Sequence, residues 1–387
     1  MNHEFFIPTQ MFFGSGCIEQ LGSVRLPGKK ALIVTTSGKW IMNEGHLDKI
    51  KGLLMQNGSE SIVYNSVTSN PGKKQIEDGL RLCKEENCDM VVGFGGGSSI
   101  DSAKSIALLA ANGGDLWDYV HAGSGKGKEI KNKPLPVIAI PTTAGTGSEV
   151  NPWVVITKEE TNEKLGFGAK ELFASMAFID ASLMVTVPPK LTAFQGFDAL
   201  FHAMEGYIAN VATPITDIFA LKSISLLGNN LVKAVRDGKN MEAREAVAMA
   251  STYSGIVEAV SNCTSNHSIA QAMGAYHKDL PHGAALLMIA NEYFESFVDV
   301  IPDRYAQMAK ALSGRMEATE TDLLKTLYEM EKECSVDQLR MSDYGITKDE
   351  LGLFCTNAME FASELFEIEP KPLTRERVME ILCKSYQ

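Results

Sequence analysis

The sequence predicts an α/β fold followed by an all-α region, that is, a parallel sheet covered by helices and then a helical half. Short β-branched runs alternate with helical patterns up to about residue 188, which is typical of parallel strands with crossover helices. Beyond the pair Pro188-Pro189, helical patterns continue almost without strand signals. A chain of 387 residues is long enough for two domains. We therefore expect domains over residues 1–188 and 189–387.

The elements follow in chain order. Strands are predicted for ALIVTT, SIVYNSV and MVVGFGGG, with a helix over KQIEDGLRLCKEEN between the last two of these. A fourth strand opens PVIAIPTTAGTGSEV and ends in a turn rich in small residues. Helices are predicted from Leu191 onward, including FDALFHAMEGYIA, ITDIFALKSISLLGNNLVKAVRDG, REAVAMASTYSGIVEAVSN and RERVMEILCKSY.

Composition limits the classes of partner. The net charge of -12 argues against nucleic acid and against an anionic membrane as partners, because both require a basic surface. No N-terminal export signal and no stretch long enough to span a bilayer is evident. The seven cysteines are scattered, without a CxxC pair, which fits a reducing compartment. We expect a cytoplasmic protein that acts on a small molecule.

A glycine-rich loop follows the third predicted strand. GFGGGSSIDSAK places Gly95, Gly96, Gly97 and Ser98 before a helix that starts near Ser99. Glycines let the backbone approach a pyrophosphate, and the free N–H groups of a helix start attract its charge. The pattern indicates dinucleotide binding, although the loop lacks GxGxxG spacing and a plain strand-to-helix turn is the alternative.

A second loop, PTTAGTGSE, ends the next strand with Thr142, Thr143, Thr146 and Ser148. Hydroxyl groups and bare backbone suit a ribose and a diphosphate, whereas turn and cap chemistry is the simpler interpretation. Because the carboxyl ends of parallel strands face one side, both loops are expected to meet at one crevice.

Acidic and imidazole side chains cluster in the helical half. Asp198 and His202 are four residues apart in a helical pattern and so share one face. His267, His277 and His282 follow in SNHSIAQAMGAYHKDLPHGAA. An aspartate with two or three imidazoles suits Fe, Zn, Mn, Co or Ni and leaves one coordination position for a substrate oxygen. A surface ion pair and buried structural histidines are the alternatives.

These motifs, in this order, resemble the iron-containing (group III) alcohol dehydrogenase family. The segments are GGGSSIDSAK, PTTAGTGSE, GFDALFHAMEGY and LPHGAALL. The resemblance implies a Rossmann-like domain that binds NAD(P), a helical domain that holds a divalent metal, and a homodimer. It favours Fe(II), with Zn(II) as the alternative.

The resemblance also assigns residues. It implies four metal ligands: Asp198, His202, His267 and His282. For the cofactor it adds Asp101 and Lys104 to the glycine loop, places the four hydroxyl residues of the second loop beside the nicotinamide, and brings Lys164 toward the cofactor.

Two departures concern catalysis and the substrate pocket. Gln271 stands where many members of the family have a second histidine, and an amide cannot relay protons as imidazole does. We therefore expect proton exchange through the additional His277, a cofactor hydroxyl or water, with Asp198 and His267 as the other catalytic residues. NCTSNH replaces a glycine-rich segment, which predicts a different substrate pocket; Trp153 and Tyr253 are candidate pocket residues.

The choice between NAD and NADP depends on the end of the first predicted strand. VTTSGKW has no acid there and offers Thr36, Ser37 and Lys39, which permits an extra phosphate and slightly favours NADP.

The predicted function is therefore a metal-dependent dehydrogenase or reductase that transfers a hydride between NAD(P)H and a small primary alcohol or aldehyde. The alternatives are a glycerol dehydrogenase-type polyol dehydrogenase, a dehydroquinate synthase-like lyase, and a non-catalytic nucleotide-binding structural subunit.

Overall fold

A computed structural model of the protein describes residues 3–38 and 45–386. Within these residues the first half forms a six-stranded sheet in the order β1-β8-β5-β4-β2-β3, and all neighbouring pairs are parallel. The strands are β1 (Gln10–Phe13), β2 (Lys30–Thr36), β3 (Glu60–Val67), β4 (Met90–Gly95), β5 (Val137–Pro141) and β8 (Met176–Ile179). The predicted parallel sheet is confirmed.

Helices cover both faces of this sheet, as expected for strands that are apolar on both sides. They are α1 (His46–Gln56), α2 (Lys73–Glu85) and α3 (Gly97–Asn112). One face packs Ile33, Val92 and Ile138 against α1, in a cluster with Ile50 and Leu54. The opposite face joins the main core of the molecule. The central strands are therefore buried on both sides, and β4 has no exposed residue.

A hairpin outside the main sheet consists of the antiparallel strands β6 (Trp153–Lys158) and β7 (Glu163–Gly168). This hairpin, β1 and β8 were not predicted from the sequence. Its turn places Asn162 at φ 52°, a conformation that asparagine tolerates better than most residues. The hairpin carries Trp153 and Lys164 to the site described below.

The second half is helical, as predicted, throughout the described residues 189–386. Its helices are α4 (Pro189–Ile208), α5 (Pro214–Arg236), α6 (Met241–Ser261), α7 (Ser265–Tyr276), α8 (His282–Glu295), α9 (Pro302–Ser313), α10 (Asp322–Glu333), α11 (Leu351–Phe361), α12 (Glu364–Glu367) and α13 (Arg375–Ser385). Helix α4 begins at Pro189, at the predicted boundary. The main hydrophobic core nevertheless runs from Leu32 to Leu382 across that boundary, so the division into two domains stays a prediction.

One described helix, α5, is long and apolar enough to cross a membrane by length and composition, contrary to the expectation that no stretch would qualify. It packs between α4, α6 and α9, and Ile224, Leu227 and Leu231 are fully buried there. These three residues belong to the helical core, whereas Ile215 and Ile218 on the same helix are exposed.

Candidate active site

A cleft of about 700 Å³, including its open mouth, lies between the carboxyl edge of the sheet, the hairpin and the helical half. It brings together twelve of the residues singled out in the sequence: Gly97, Ser98, Asp101, Thr146, Ser148, Trp153, Lys164, Asp198, His202, His267, Gln271 and His282. The crevice at the strand ends is where open α/β sheets bind their ligands.

The two loops meet as expected. Gly95 ends β4 at φ +149°, and α3 begins at Gly97. A Cβ on Gly97 would lie 2.7 Å from Thr146 Cγ2, and one on Gly96 would lie 3.0 Å from Thr143 Oγ1. A side chain on Gly97 would therefore collide with Thr146, and one on Gly96 would press against Thr143. The helix start at Gly97 lines the cleft, where its free N–H groups form a cradle that suits a phosphate.

Asp101 and Lys104 hold the second loop against this helix. The Ser148 hydroxyl donates to Asp101 Oδ1 at 2.5 Å, and the Val155 N–H donates to Oδ2 at 3.0 Å. Lys104 Nζ donates to Ser148 Oγ at 3.1 Å and to the carbonyl of Asn151 at 2.8 Å. Burial lowers the pKa of Lys104 to about 8, against the opposing effect of Asp101. Both residues thus have their polar groups engaged within the protein and position the loop.

The four predicted ligand residues come from three helices and face one point. Asp198 and His202 lie on α4, His267 on α7, and His282 at the start of α8. Asp198 Oδ1 lies 3.8 Å from His202 Nδ1, 3.5 Å from His267 Nε2 and 3.7 Å from His282 Nε2. Two ligand atoms on one tetrahedral ion at ordinary bond lengths lie about 3.4 Å apart.

The donor atoms of this cluster fit a divalent metal. Asp198 Oδ1, His202 Nδ1 and His267 Nε2 are buried and make no hydrogen bond within the described chain. Buried polar atoms without a hydrogen-bond partner destabilise the folded state unless a ligand binds to them. Ligand atoms of Asp198, His267 and His282 all lie within 4.8 Å of one another. His202 joins the cluster through its contact with Asp198 and through a ring separation of 4.2 Å from His267.

Glu205 orients His267 from behind, a role that the sequence analysis missed. Its Oε1 lies 2.8 Å from His267 Nδ1, and it is fully buried. Asn266 Nδ2 and the Thr264 N–H also donate to this carboxylate. A carboxylate on the far nitrogen directs the Nε2 lone pair of a histidine toward a metal. The signal was present in the sequence, since Glu205 follows His202 by three positions on the same helix face.

The electrostatics of the cluster follow from its burial. Burial opposes ionisation of Asp198, but His202, His267 and His282 hold the pKa of that carboxyl well below its usual range. Burial lowers the pKa of His202 to about 4, with His267 adding to the effect. Burial also lowers the pKa of His267, but Glu205 and Asp198 outweigh it and raise the pKa to about 10. Metal binding must therefore displace a proton from this ring.

Lys164, on the hairpin strand β7, is buried and lines the cleft. Burial lowers the pKa of its ammonium to about 8, and the charges of Asp198 and Asp101 oppose the shift. Lys164 therefore lies between the glycine loop and the ligand cluster.

Other predicted residues lie elsewhere. His277 caps the end of α7 outside the residues that line the cleft, with Nε2 at 3.0 Å from Glu350 Oε1; a proton relay through it stays a prediction. Gln271 does line the cleft.

Thr36 and Ser37, predicted at the cofactor, lie at the carboxyl end of β2, and Lys39 lies outside the described residues. Thr142 Oγ1 is buried without a hydrogen-bond partner in the described chain, and Tyr253 packs on Phe219.

Comparison with known proteins identifies this arrangement. The model of the iron-containing alcohol dehydrogenases matches residues 8–181, and that of the C-terminal region of the same family matches residues 192–386. The chain belongs to the iron-containing alcohol dehydrogenase family. The family assignment makes the protein an NAD(P)-dependent oxidoreductase that acts on CH–OH groups and carries a metal.

Individual iron-containing alcohol dehydrogenases are similar along nearly the whole chain. Alcohol dehydrogenase 4 of Saccharomyces cerevisiae (strain YJM789) is 32% identical over 99% of this chain and 98% of its own. Choline dehydrogenase of Bacillus subtilis is 34% identical over 92% of this chain and 89% of its own. A solved archaeal halo-thermophilic alcohol dehydrogenase from a Red Sea brine pool is 32% identical, with a TM-score of 0.94 and full coverage of both chains.

Proposed function

We propose that this alcohol dehydrogenase interconverts small primary alcohols and aldehydes at the cleft, with Asp198, His202, His267 and His282 as metal ligands. The observation that carries the assignment is the convergence of these side chains, with unpartnered buried donor atoms, beside a glycine-rich helix start. The relatives compared above are dehydrogenases, which favours this function over the lyase and the non-catalytic subunit.

Different residues that line the cleft have different roles in catalysis. A bound divalent metal supplies Lewis acidity that polarises a carbonyl or lowers the pKa of an alcohol. The α3 start at Gly97 and Ser98 binds the pyrophosphate through backbone N–H groups. Thr146 and Ser148 then line the space between the pyrophosphate and the ligand cluster, where the nicotinamide and substrate must meet. Glu205 holds the His267 ring at a fixed angle.

Among the described residues that line this cleft, the only imidazoles are those of the ligand cluster. Gln271, which is 9% exposed, offers an amide that binds water without accepting its proton. We propose that the proton of the alcohol leaves to water at the open mouth of the cleft.

The test is oxidation of NADH and NADPH by short aldehydes, with Fe(II) or Zn(II) supplied, combined with metal analysis of the purified protein. Asp198→Ala is expected to lose retained metal and turnover together, because it removes the oxygen nearest to all three histidines. Asp299→Ala, at an exposed position, is the matched control. Full activity of Asp198→Ala would refute the site.

The same assay compares the two cofactors. The absence of an acid at the end of β2 supports use of NADPH, so we propose a modest preference for NADPH over NADH. We also propose that the enzyme is a cytoplasmic homodimer. Light scattering measures its mass in solution and so tests the oligomeric state.

A further inference from the structure

A buried chain of hydrogen bonds extends from the second oxygen of Glu205. Thr264 Oγ1 lies 3.1 Å from Glu205 Oε2 and 2.7 Å from the hydroxyl of Tyr293. That hydroxyl lies 3.0 Å from Glu369 Oε1. Each of these four residues is at most 1% exposed. The carboxylate behind His267 is therefore connected to a second buried carboxyl group, which lies between α12 and α13.

The chain has one proton fewer than its contacts require if both carboxyl groups are ionised. Three contacts between oxygen atoms join the four residues, and each contact needs one proton between its two atoms. The hydroxyl groups of Thr264 and Tyr293 bring one proton each, whereas an ionised carboxylate can only accept. The third proton must therefore come from Glu205 or from Glu369.

The partners of Glu205 favour its ionised form. This carboxylate accepts from the Thr264 N–H at 2.8 Å and from Asn266 Nδ2 at 3.0 Å, and it lies against His267 Nδ1. Several N–H donors on one carboxyl group stabilise its negative charge. The extra proton of the chain is therefore expected on the other carboxyl group.

The surroundings of Glu369 favour its protonated form. Apart from Tyr293, its partners are the hydroxyl of Ser265 and the N–H of Leu373, which lies 3.1 Å from Oε2. No described lysine, arginine or histidine forms an ion pair with it. Burial raises the pKa of Glu369 to about 7, although its hydrogen bonds oppose the shift. A buried carboxyl group without a cation beside it keeps its proton more readily than one in water.

The hydroxyl of Thr264 is used in an unusual way. Thr264 is the N-cap residue of α7, yet its side chain makes no capping hydrogen bond. A threonine at this position usually accepts from the N–H of the second or third helical residue, and the third residue of α7 is His267. The hydroxyl contacts Glu205 and Tyr293 instead. The contact with Tyr293 therefore keeps this hydroxyl available to Glu205.

We propose that Glu369 carries a proton and donates a hydrogen bond to Tyr293, which donates to Thr264, which in turn donates to Glu205. Glu369 and Tyr293 are then positioning residues, because they fix the carboxylate that orients His267. An ionised Glu369 would instead accept from Tyr293, and the Thr264 proton would be drawn away from Glu205. The inference rests on the proposed function, because it assumes that His267 binds the metal.

Infrared difference spectra of the metal-free protein test the proton on Glu369. The C=O band of a protonated carboxyl group is separate from the bands of carboxylates and of the backbone. Below the pKa of about 7, we expect one such band to be lost in Glu369→Gln. Glu364→Gln, at an exposed position of the neighbouring helix α12, is the matched control and is expected to keep it. An equal band in Glu369→Gln and wild type overturns the assignment of the proton.

Metal titration of the apoprotein tests the positioning role. Tyr293→Phe frees the Thr264 hydroxyl to cap α7, so metal affinity is expected to fall about 3- to 10-fold, less than for a partner in direct contact with a ligand. Tyr305→Phe is the matched control, because Tyr305 is also fully buried and its hydroxyl donates to the carbonyl of Phe294 at 2.6 Å. This control is expected to lose stability in urea unfolding and to keep its metal affinity.

Two substitutions of Glu369 separate its proton from its charge. Glutamine offers an N–H donor to Tyr293 and an oxygen acceptor to the Leu373 N–H, as a protonated carboxyl group does. Glu369→Gln is therefore expected to keep the metal affinity of the wild type. Glu369→Met is similar in length and offers neither group, so it releases Tyr293 and is expected to weaken metal binding as Tyr293→Phe does.

The possible outcomes separate this inference from the proposed function. Equal metal affinity in Tyr293→Phe and Tyr305→Phe refutes the positioning role and leaves the dehydrogenase function intact. A loss in Glu369→Gln as large as that in Glu369→Met shows that the charge, and not the proton, is required, and refutes the proposed chain. Failure of the wild type to bind metal counts against the proposed function instead. In that case the infrared spectra of the metal-free protein still decide whether Glu369 carries a proton.

Discussion

At the scale of single residues, the orientation of His267 depends on Glu205. Among the described residues, the partners of this carboxylate present nitrogen or hydroxyl groups to it: His267, Thr264 and Asn266. Glu205→Gln would place an amide NH₂ against these donors and remove the charge that orients the ring. We expect metal affinity to fall about 10- to 100-fold.

Metal titration of the apoprotein, followed by mass spectrometry, measures this loss. Glu317→Gln replaces an exposed carboxylate by the same amide and is expected to bind metal like the unmodified enzyme. Unchanged affinity in Glu205→Gln would mean that the ring is held by its packing alone.

Glu331 gives a pH dependence far from the metal ligands. Burial raises its pKa from the ordinary value of 4.5 to about 8, despite contacts from Asn291. Between these values the folded state keeps a proton that the unfolded state has lost, so the free energy of unfolding falls as pH rises. Glu331→Gln removes the carboxyl group and with it this pH-dependent loss of stability. We expect the variant to gain on the order of 2 kcal/mol relative to the wild type between pH 5 and pH 8.

Urea unfolding at pH 5, 6.5 and 8 tests the trend. Glu333→Gln, whose side chain is 53% exposed, is the matched control and is expected to show no such gain. A constant difference between Glu331→Gln and wild type across these pH values would contradict the assignment.

At the scale of elements, we expect cofactor binding to depend on the contact between the α3 start and the second loop. Gly97→Ala would place a methyl group 2.7 Å from Thr146 Cγ2, which forces the two loops apart. We expect KM for the cofactor to rise at least about tenfold, while metal content stays unchanged because the ligands lie on α4, α7 and α8.

Steady-state kinetics with varied NADPH and NADH measure this change. Gly52→Ala is the control, since it lies in α1 with no atom within 4 Å of the new methyl group; helix propensity predicts about 0.5 to 1 kcal/mol of added stability there. Equal cofactor KM values in Gly97→Ala and wild type would show that the loops tolerate separation.

At the scale of the whole molecule, the proposed metal ligands come from three helices of one continuous core. A ligand that binds only the folded state stabilises it by about 4 kcal/mol at a thousandfold excess over Kd. For a chain of this size we expect chelation to lower Tm by at least about 5 °C. Differential scanning calorimetry with and without chelator tests this. Asp198→Ala should show no chelator effect, whereas Asp299→Ala should respond like wild type.

The sequence by itself determined the fold class, the family and the residues of the two loops and the ligand cluster. It could do so because these features depend on local order: β-branched runs, glycines before a helix, and Asp198 and His202 four residues apart. The hairpin β6-β7 escaped prediction because its short strands pack outside the main sheet. Only the tertiary structure decided which distant residues meet. It placed His277 beside Glu350, Glu205 behind His267, and the Trp153 indole N–H on the Glu258 backbone carbonyl, because contacts between residues far apart in the chain follow from packing rather than from spacing.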